Sequence, residues 1–403
     1  MTNKYDVAIC GGGLVGLTLG LALARYGVET AIIDSTPLDD LLSKDFDGRA
    51  SSIALGSKNV LSAIGVWSYL ESDAQPILQI RVSDGNSPLF LHYDHLDLGE
   101  EPLGWMVENR ILRISLLKAL KNFNKVTHFA PESVKSFNVS DDIATMKLSN
   151  GRIIESSLAV AADGRNSFLR SESGIKNIEL SYNQVGIVCT VKHQFPHQGI
   201  AHEKFLPSGP FAILPLTSNR SSLVWTENSV LATKILSLDK EDFLHELLHR
   251  FGDFLGEIEL EGPRWSYPLS LSYAKEYIAE RIALIGDSAH SIHPIAGQGF
   301  NLGIRDCAAL AEVIVETRRL GLDVGSEDLL TQYQRFRRFD SAMLAAVTHG
   351  LNLLFSNQNS SLQIIRGLGL AGINQSPPIK RFFMRHAMGL IGDLPRLVRG
   401  EQI

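Results

Sequence analysis

The chain has 403 residues, of which 44% are hydrophobic and 20% charged, a composition typical of a soluble globular protein with two or three domains. Its net charge of −6 gives no support for binding to nucleic acid. The three cysteines, Cys10, Cys189 and Cys307, are too widely spaced for a disulfide framework or a metal-ligand cluster, so we expect a reducing compartment and no metal site.

The first predicted unit is a strand, a glycine turn, a helix and a second strand. The first strand covers residues 5–10, and the turn GGGLVG follows at once. Within this turn Gly11, Gly13 and Gly16 satisfy the pattern GxGxxG, which lets backbone approach a pyrophosphate at the start of a helix. Asp34 ends the second strand, where a carboxylate can accept both ribose hydroxyls of an adenosine. The unit therefore fits the adenosine half of FAD or NAD.

The middle of the chain predicts further helices and strands. Helical patterns lie near residues 57–70 and 110–123, and short strands are predicted from 127 to 164. Between about 181 and 277, alternating segments separated by Pro, Gly and Ser predict an antiparallel sheet. The tail from 363 to 398 has a helical pattern that Gly and Pro residues interrupt.

One helical segment contains a metal-binding pattern. His245 to His249, HELLH, matches the zinc-protease motif HExxH, but the longer form of that motif needs a histidine where Leu255 stands. We interpret the segment as an amphipathic surface helix with both histidines in solvent. Four of its residues are expected to point inward: Phe243, Leu244, Leu247 and Leu248.

A second glycine-rich turn follows an apolar strand that ends in Gly286-Asp287. The run HPIAGQGFNLGIRD, residues 293–306, carries three glycines and opens into a helical pattern. Such a turn lets backbone approach a flat or anionic ligand at the N-terminus of a helix. Two turns of this kind near opposite ends of the chain predict one large cofactor held from both sides.

Four polar residues have ordinary explanations when each is considered alone. Asp163 follows a strand and is typical of a turn, and Asp287 has the position of a helix N-cap. Arg49 and Arg110 are of a type that is more often solvated or ion-paired than functional.

Together these patterns resemble the class A flavoprotein hydroxylases, which have the para-hydroxybenzoate hydroxylase fold, and most closely their ubiquinone-biosynthesis branch. The family signature HP-(aliphatic)-(Ala/Gly)-GQGxNxGxxD matches residues 293–306 at every constrained position. Ser288 departs from the Ala of the family's GDAAH, a change expected to be harmless. The resemblance covers most of the chain, including GGGLVG, Asp47-Gly48-Arg49 with Ala54-Leu55, GVW at 65–67, ADGRNSFLR, FLPSGPFAILPL with Val224-Trp225, and YPLS before LIGD.

The resemblance implies an α/β fold with a Rossmann-like FAD-binding domain and a second domain that contains an antiparallel sheet. The implied FAD-binding domain is discontinuous and comprises residues 1–75, 101–180 and 278–345. The implied substrate domain comprises 76–100 and 181–277, and a helical C-terminal region covers 346–403.

The resemblance also implies which residues bind FAD. The first glycine turn would hold the pyrophosphate and Asp34 the ribose, while the second turn would pack backbone against the isoalloxazine ring. His290 and His293 would have packing or hydrogen-bonding roles in this turn. The full implied set is Gly11, Gly13, Val15, Gly16, Asp34, Arg49, Arg110, Asp163, Gly286, Asp287, Pro294, Gly297, Gln298, Gly299 and Asn301.

The implied reaction is aromatic hydroxylation by an FAD-dependent monooxygenase. NADPH or NADH would reduce the flavin, O₂ would add to it as a hydroperoxide, and the terminal oxygen would attack a (poly)prenylated phenol. No residue that activates the phenol is identifiable from the sequence. Three alternatives stay open: a same-fold hydroxylase of a small soluble phenol, a flavin-dependent prenyl reductase, and a non-catalytic scaffold of a biosynthetic complex.

The location and partners are expectations of the same kind. The N-terminal segment is not typical of a signal peptide and no apolar run is long enough to span a bilayer, so we expect a cytoplasmic protein. The basic, apolar tail from Pro378 to Gly400 is typical of a segment lying on the inner face of the membrane, but an ordinary surface helix fits it equally well. A biosynthetic complex and a homo-oligomer both remain open.

Overall fold

The computed structural model of the protein describes residues 2–42, 48–85, 87–140, 142–357 and 359–403. Its helices are α1 (Leu14–Arg25), α2 (Leu38–Leu42), α3 (Leu55–Ala63), α4 (Asn109–Leu120), α5 (Phe168–Glu172), α6 (Ser229–Ser237), α7 (Lys240–Phe251), α8 (Gly299–Arg319), α9 (Glu327–Phe355), α10 (Ser360–Asn374), α11 (Pro377–Ala387) and α12 (Arg396–Arg399).

Its strands are β1 (Thr2–Cys10), β2 (Thr30–Ile33), β3 (Ala50–Ala54), β4 (Gln75–Ile77), β5 (Gln79–Asp84), β6 (Phe90–Asp94), β7 (Gly104–Glu108), β8 (Val126–Phe129), β9 (Val134–Ser140), β10 (Ile143–Leu148), β11 (Ile153–Ala161), β12 (Asn177–His193), β13 (Ile200–Leu206), β14 (Gly209–Leu216), β15 (Arg220–Asn228), β16 (Ile258–Ala274), β17 (Ile278–Ala279), β18 (Ile282–Leu284) and β19 (His290–Ser291).

The first sheet is built around five neighbouring parallel strands, β18, β11, β1, β2 and β8. Its order is β17-β18-β11-β1-β2-β8, with β10 and β9 added along β11. The apolar residues of β18, β11, β1 and β2 are buried because helices cover them. Helix α1 packs between this sheet and α8, so nearly all of its residues are buried.

The parallel strands of the first sheet end together at one edge. Cys10 is in register with Ile33 and with Ala161, and Ala161 is in register with Leu284. The residues that follow these strands therefore lie side by side. In open α/β sheets this carboxyl edge is where ligands bind.

The second sheet is mostly antiparallel, as the sequence predicts, and has the order β19-β16-β12-β15-β14-β13-β5-β6. Strand β5 joins it by parallel pairing with β13, which brings residues 79–94 into the same sheet as 177–274. At the other end β19 pairs with β16, so the sheet runs directly into the second glycine turn. These pairings support the predicted extent of the substrate domain, which we retain as a proposal.

A small third sheet and the C-terminal helices complete the fold. The third sheet has the order β3-β7-β4 and lies beside the N-terminal part of α8. Helix α10 packs on β5 and β6 and also contacts α11. Helix α12 packs on α3 and α8, with Leu397 and Val398 fully buried.

Two sequence predictions need correction in detail. The helix expected over 57–70 ends at Ala63, because Gly65 takes a positive φ of 78° and stops it. In α7, Phe243 and Leu247 are buried as expected, but Leu248 is 39% exposed. Phe251 fills the inward position instead, since it lies one helical turn beyond Leu247.

The histidines of α7 behave as the surface interpretation predicts. His245 and His249 are both exposed, and their rings contact each other edge to face at 4.7 Å. Among the described residues no group of His, Cys, Asp or Glu is arranged to hold a metal ion.

Candidate cofactor-binding site

The first glycine turn has a backbone path that only glycine permits. Gly11 has φ of 110°, and a Cβ there would lie 2.2 Å from the carbonyl oxygen of Ala162. A Cβ at Gly16 would lie 1.9 Å from the carbonyl oxygen of Gly11. Gly13, which caps the N-terminus of α1, has no other group of the described residues within 4 Å of its Cβ position. Two of the three glycines therefore fold the turn tightly, and the third leaves open space at a helix N-terminus, as a pyrophosphate needs.

Asp34 lies against this turn. Its carboxylate oxygen Oδ1 accepts a 2.7 Å hydrogen bond from the backbone of Thr36, and its side chain is 8% exposed. A Cβ at Gly12 would lie 2.5 Å from Oδ2 of Asp34. Gly12, which the GxGxxG pattern leaves unspecified, is thus required for the carboxylate to approach the turn.

The second glycine turn is fixed to the third sheet by Asn301. The Asn301 amide donates to the carbonyl oxygens of Ser52 at 2.8 Å and of Gly297 at 3.2 Å, and its oxygen accepts from the backbone of Ala54 at 2.9 Å. Gly297 has φ of 60°, and a Cβ there would lie 3.1 Å from Cβ of Ser52. Asn301 therefore sets the position of the turn relative to β3, a structural role next to the proposed ring contact.

The remaining residues of this turn differ in exposure. Pro294 is exposed, and Gln298 is buried and donates a 3.3 Å hydrogen bond to the carbonyl oxygen of Ala387 at the end of α11. Gly299 begins α8 and has open space at its Cβ position. His293 is fully buried with its ring edge to face on Tyr182, and burial lowers the pKa of its imidazole to about 4. A neutral, packed histidine agrees with the predicted packing role.

The two glycine turns meet at Val15. Its side chain lies 3.2 Å from the Cβ position of Gly286 and 2.8 Å from that of Gly303, so both positions need glycine. The carbonyl oxygen of Val15 also accepts a 3.3 Å hydrogen bond from the thiol of Cys307. The N-termini of α1 and α8 are thereby held against one another, and both glycine turns open onto the same region.

Asp306 is the buried centre of a hydrogen-bond network behind the second turn. It is fully buried and accepts from the backbone of Gly286 at 2.9 Å, from His290 Nε2 at 2.7 Å and from Arg337 Nε at 2.8 Å. Burial alone would raise the pKa of Asp306, but the His290 and Arg337 groups outweigh it and lower the pKa. The last residue of the signature therefore positions Gly286 and His290 by a carboxylate that stays charged.

Asp163 and Asp287 lie on adjacent loops at the sheet edge. The Asp163 carboxylate accepts from the backbone of Phe168 at 2.7 Å and from the Ser288 hydroxyl at 3.2 Å. Asp163 therefore joins the start of α5 to the loop after β18. The Ser288 hydroxyl, which stands where the family usually has Ala, makes one of these contacts.

Asp287 is exposed to solvent, yet the protein atoms around it raise the pKa of its carboxyl by desolvation. His290 and Arg165 lower this pKa, but by less. A side chain in an open cleft has both properties. The Asp287 carboxylate is therefore able to bind a ligand, whereas the Asp163 carboxylate is already hydrogen-bonded to protein groups.

Arg49 and Arg110 lie side by side at the third sheet. The carbonyl oxygen of Arg49 accepts from the backbone of Asn109 at 2.9 Å, and its guanidinium lies 5.9 Å from the ring centre of Tyr267. Arg110 donates to Glu108 at 2.5 Å. Asp47, which precedes them in the motif, lies outside the described residues.

These residues fit a bound FAD. The two glycine turns form two backbone cradles that suit this cofactor. Gly13 and Gly299 leave space beside two helix N-termini, while Gly11 and Gly16 have no room for a Cβ. A protein without a large anionic cofactor has no physical need for both arrangements at one sheet edge.

The family model described as "FAD binding domain" matches residues 4–346. The chain belongs to this family. It is similar to the ubiquinone hydroxylase UbiL of Rhodospirillum rubrum, with 48% identity over 98% of this chain and 92% of the relative. It is also similar to the 3-demethoxyubiquinol 3-hydroxylase of Escherichia coli, with 32% identity over 97% of this chain and all of the relative.

A solved structure has the same fold. It is the p-nitrophenol 4-monooxygenase PnpA of Pseudomonas putida, with a TM-score of 0.81 and 18% identity over 97% of this chain and 99% of that one. The family and this fold confirm the predicted resemblance, the predicted FAD-binding α/β architecture and FAD as cofactor.

Several residues that shape the site are not among those predicted from the sequence. Gly12 was visible as the middle glycine of GGG, and Asp306 as the last constrained residue of the signature. Ser52 and Arg337 carry no such signal, because their contacts with the second turn depend on where distant elements pack.

Proposed function

We propose that this protein is an FAD-dependent monooxygenase that hydroxylates the ring of a (poly)prenylated phenol in ubiquinone biosynthesis. The observation that carries the proposal is the meeting of the two glycine turns at Val15 beside Asp34, an arrangement suited to one extended dinucleotide. Two relatives that match nearly the whole chain are named a ubiquinone hydroxylase and a 3-demethoxyubiquinol 3-hydroxylase. Their names support a prenylated phenol as the substrate class.

The proposed cofactor contacts follow from the geometry of the turns. Backbone N–H groups at the start of α1 would meet the pyrophosphate, and the Asp34 carboxylate would accept the ribose hydroxyls. The turn at Gly297 to Gly299 would lie along the ring, with the N-terminus of α8 favouring negative charge there. Bound FAD supplies the redox chemistry by passing electrons from NADPH or NADH to O₂, so that one oxygen atom enters the aromatic ring.

The chain itself must hold the substrate ring and keep water away from the reacting atoms. Apolar residues surround the second turn: Ile295 packs in one cluster with Phe205 and Phe355. Helix α11 covers the turn from the other side, since the Gln298 side chain bonds to its last residue. These contacts place apolar side chains beside the second turn, where a substrate ring and an isoprenoid chain would be held.

An exposed apolar surface on α10 and α11 supports peripheral membrane contact. Ile364, Ile365 and Leu368 of α10 are each more than 60% exposed, and Phe382 and Phe383 of α11 are 54% and 43% exposed. Surfaces of this kind mark sites of membrane or protein contact. Because these helices also pack beside the apolar cluster at Ile295, they would bring the membrane and the site together.

The positive charge of this region favours contact with an anionic membrane surface. Residues 341–392 contain no Asp or Glu and four Lys or Arg. Lys380 is paired with Asp97 and Arg366 with Asp84, while Arg381 and Arg385 are exposed. No described helix is both long and apolar enough to cross a bilayer. From the exposed apolar surface and its positive charge, we propose that α10 and α11 hold the protein on the cytoplasmic face of the membrane.

The membrane proposal is tested by sedimentation with vesicles of neutral or anionic lipid. Truncation after Ser376 is unsuitable, because it would remove the fully buried Leu397 and Val398. The double substitution Phe382→Ser and Phe383→Ser should reduce binding to anionic vesicles at least about tenfold, since two large apolar side chains are lost. Leu320→Ser, at a site 75% exposed on the end of α8, is the matched control. If both variants bind the vesicles equally, the membrane proposal is wrong, and the surface would instead contact a protein partner or a second copy of the chain.

The catalytic proposal is tested by aerobic turnover of the purified holoenzyme. NADPH or NADH is supplied with and without a prenylated phenol, and loss of reductant is followed together with product mass. We expect substrate-dependent oxidation and a product heavier by one oxygen atom. Bound FAD with a reduced isoprenoid chain, or with no modified product, would contradict the proposal.

A further inference from the structure

Glu203 lies in the middle of β13, on the face of the second sheet that is turned toward the cofactor site. It is in register with Val82 of β5 and with Ala212 of β14. Residues in register share a face, and so do alternate residues of one strand, which here are Ala201 and Phe205. The orientation of Glu203 therefore follows from these four neighbours.

On one side this face meets the third sheet. Ala201 packs in one apolar cluster with Met106 of β7. Met106 is in register with Ser52 of β3, whose Cβ lies 3.1 Å from the Cβ position of Gly297. The face beside Glu203 is thus connected through two residues to the second glycine turn.

On the other side the same face meets the second turn through an apolar cluster. Phe205 packs in one apolar cluster with Ile295, and its ring stacks on Phe355 at 4.0 Å. Glu203 lies between Ala201 and Phe205 on this face. A carboxyl group here faces the region between the second sheet and the proposed ring site.

Glu203 has no hydrogen bond or ion pair with any residue of the described ranges, and burial raises the pKa of its carboxyl to about 7. Glu203 is half-buried, and a desolvated acid without a partner serves no evident purpose in folding. His202 and Lys204 point to the opposite face. The titratable groups on the elements that face it are Tyr93, Asp84 paired with Arg366, Glu108 paired with Arg110 and Arg220, and His293.

We propose that Glu203 is a catalytic residue that accepts the phenolic proton of the substrate during ring hydroxylation. The inference rests on the proposed function and assigns the phenol-activating group that the sequence does not reveal. Geometry carries it: Glu203 is the acid of β13, and its side chain shares a face with Val82 and Ala212. Of its strand neighbours on that face, Phe205 packs in one cluster with Ile295 of the second turn, and Ala201 packs with Met106 of the adjoining third sheet.

The proton is conserved in this step. The phenol O–H bond breaks, its proton forms a bond with a Glu203 carboxylate oxygen, and the electron pair left on the phenolic oxygen increases the electron density of the ring carbon that receives oxygen. When the ring regains aromaticity, that carbon releases its hydrogen to solvent as a proton, and Glu203 returns its own proton to the phenolic oxygen.

The test compares wild type with Glu203→Gln and Glu203→Asp, all as FAD-loaded holoenzymes. Glutamine keeps the shape and can still hydrogen-bond, but it cannot accept the proton. We expect Glu203→Gln to lower hydroxylated product about 100-fold or more, with reductant consumed and hydrogen peroxide formed instead. The wild-type kcat/KM should fall as pH drops below about 7, because a protonated acid accepts no proton, and this acid limb should be absent in Glu203→Gln.

A spectroscopic readout accompanies the rates. The infrared carbonyl band of a protonated carboxylic acid should titrate near neutral pH in wild type and be missing from Glu203→Gln. Glu203→Asp should restore part of the product and the acid limb. Glu241→Gln, an exposed change of the same chemistry on α7, is the matched control and should behave as wild type.

The outcomes separate this inference from the proposed function. If wild type hydroxylates the phenol and Glu203→Gln does so at the same rate, or more slowly with the acid limb retained, the proton-accepting role is wrong while the monooxygenase stands. If wild type converts no prenylated phenol into a hydroxylated product, the proposed function fails and this inference fails with it.

Discussion

Replacement of Asp306 by Asn should weaken both the fold and FAD binding. The change keeps the shape of the side chain but removes the negative charge that Gly286, His290 and Arg337 contact. Arg337, 2% exposed, would keep Asp340 as its one counter-ion among the described residues. Breaking a buried pair of this kind costs about 3–5 kcal/mol. With an unfolding entropy of about 2 cal/mol/K per residue, the chain loses roughly 4–6 °C of Tm.

FAD binding should weaken because the backbone N–H of Gly286 loses its charged acceptor. A hydrogen bond to a charged group contributes about 1.5–3 kcal/mol, so the Kd for FAD should rise by about tenfold or more if the loop must be reordered on binding. Thermal unfolding of the apoprotein measures the first effect, and titration of the apoprotein with FAD by flavin fluorescence measures the second.

The matched control is Asp6→Asn. Asp6 also accepts one backbone N–H, from Glu29 at 3.0 Å, and one arginine Nε, from Arg318 at 3.0 Å, but its side chain is 34% exposed. An exposed pair contributes at most about 1 kcal/mol, so this variant should unfold within about 1 °C of wild type. If Asp306→Asn and Asp6→Asn have the same Tm and FAD affinity as wild type, burial of the Asp306 network does not support the site.

Three further predictions concern the glycines and Glu203. Gly16→Ala should yield protein without flavin absorbance, since its Cβ would lie 1.9 Å from the Gly11 carbonyl oxygen; a yellow variant would contradict the geometry of the turn. Gly13→Ala and Gly350→Ala both place a Cβ in open space, so both should fold, but only Gly13→Ala should bind FAD more weakly in titration; equal affinities would argue against a ligand beside Gly13. For Glu203 the folded-state pKa of about 7 exceeds the usual 4.5, so wild type should lose stability as pH rises from about 4.5 to 7. Glu203→Gln should therefore be more stable than wild type by up to about 3 kcal/mol at pH 8, and equally stable near pH 4.5. Equal Tm values of the two proteins at pH 8 would show that the carboxyl is not desolvated.

The cofactor half of the site is predictable because its signals are local. The turn at 11–16 and the turn at 293–306 each consist of adjacent residues whose backbone must take one path, and the pattern of glycines specifies that path. The continuous apolar strands before them predict a buried parallel sheet for the same reason. Their carboxyl ends meet at one edge, so Asp34 and Asp163 could be placed near the turns from sequence order alone.

The substrate side is less predictable because it depends on packing between distant segments. The strand around Glu203 reads Ala-His-Glu-Lys-Phe, in which polar residues fall on both faces, so alternation does not reveal which face is inside. The parallel pairing with β5 and the position of Ile295 decide it. The contact of Ser288 with Asp163 depends on packing in the same way, since Asp163 lies on another strand end.

The sequence by itself therefore determined the family, the α/β fold, FAD and the two backbone cradles, because each depends on short stretches with a specific residue pattern. Only the tertiary structure decided that the cradles meet at Val15, that Asp306 stays charged in the interior, and which sides of α10 and α11 face solvent. Those features arise from side chains brought together across hundreds of residues, where burial changes the free energy of a charge and the register of a strand selects the face on which it lies.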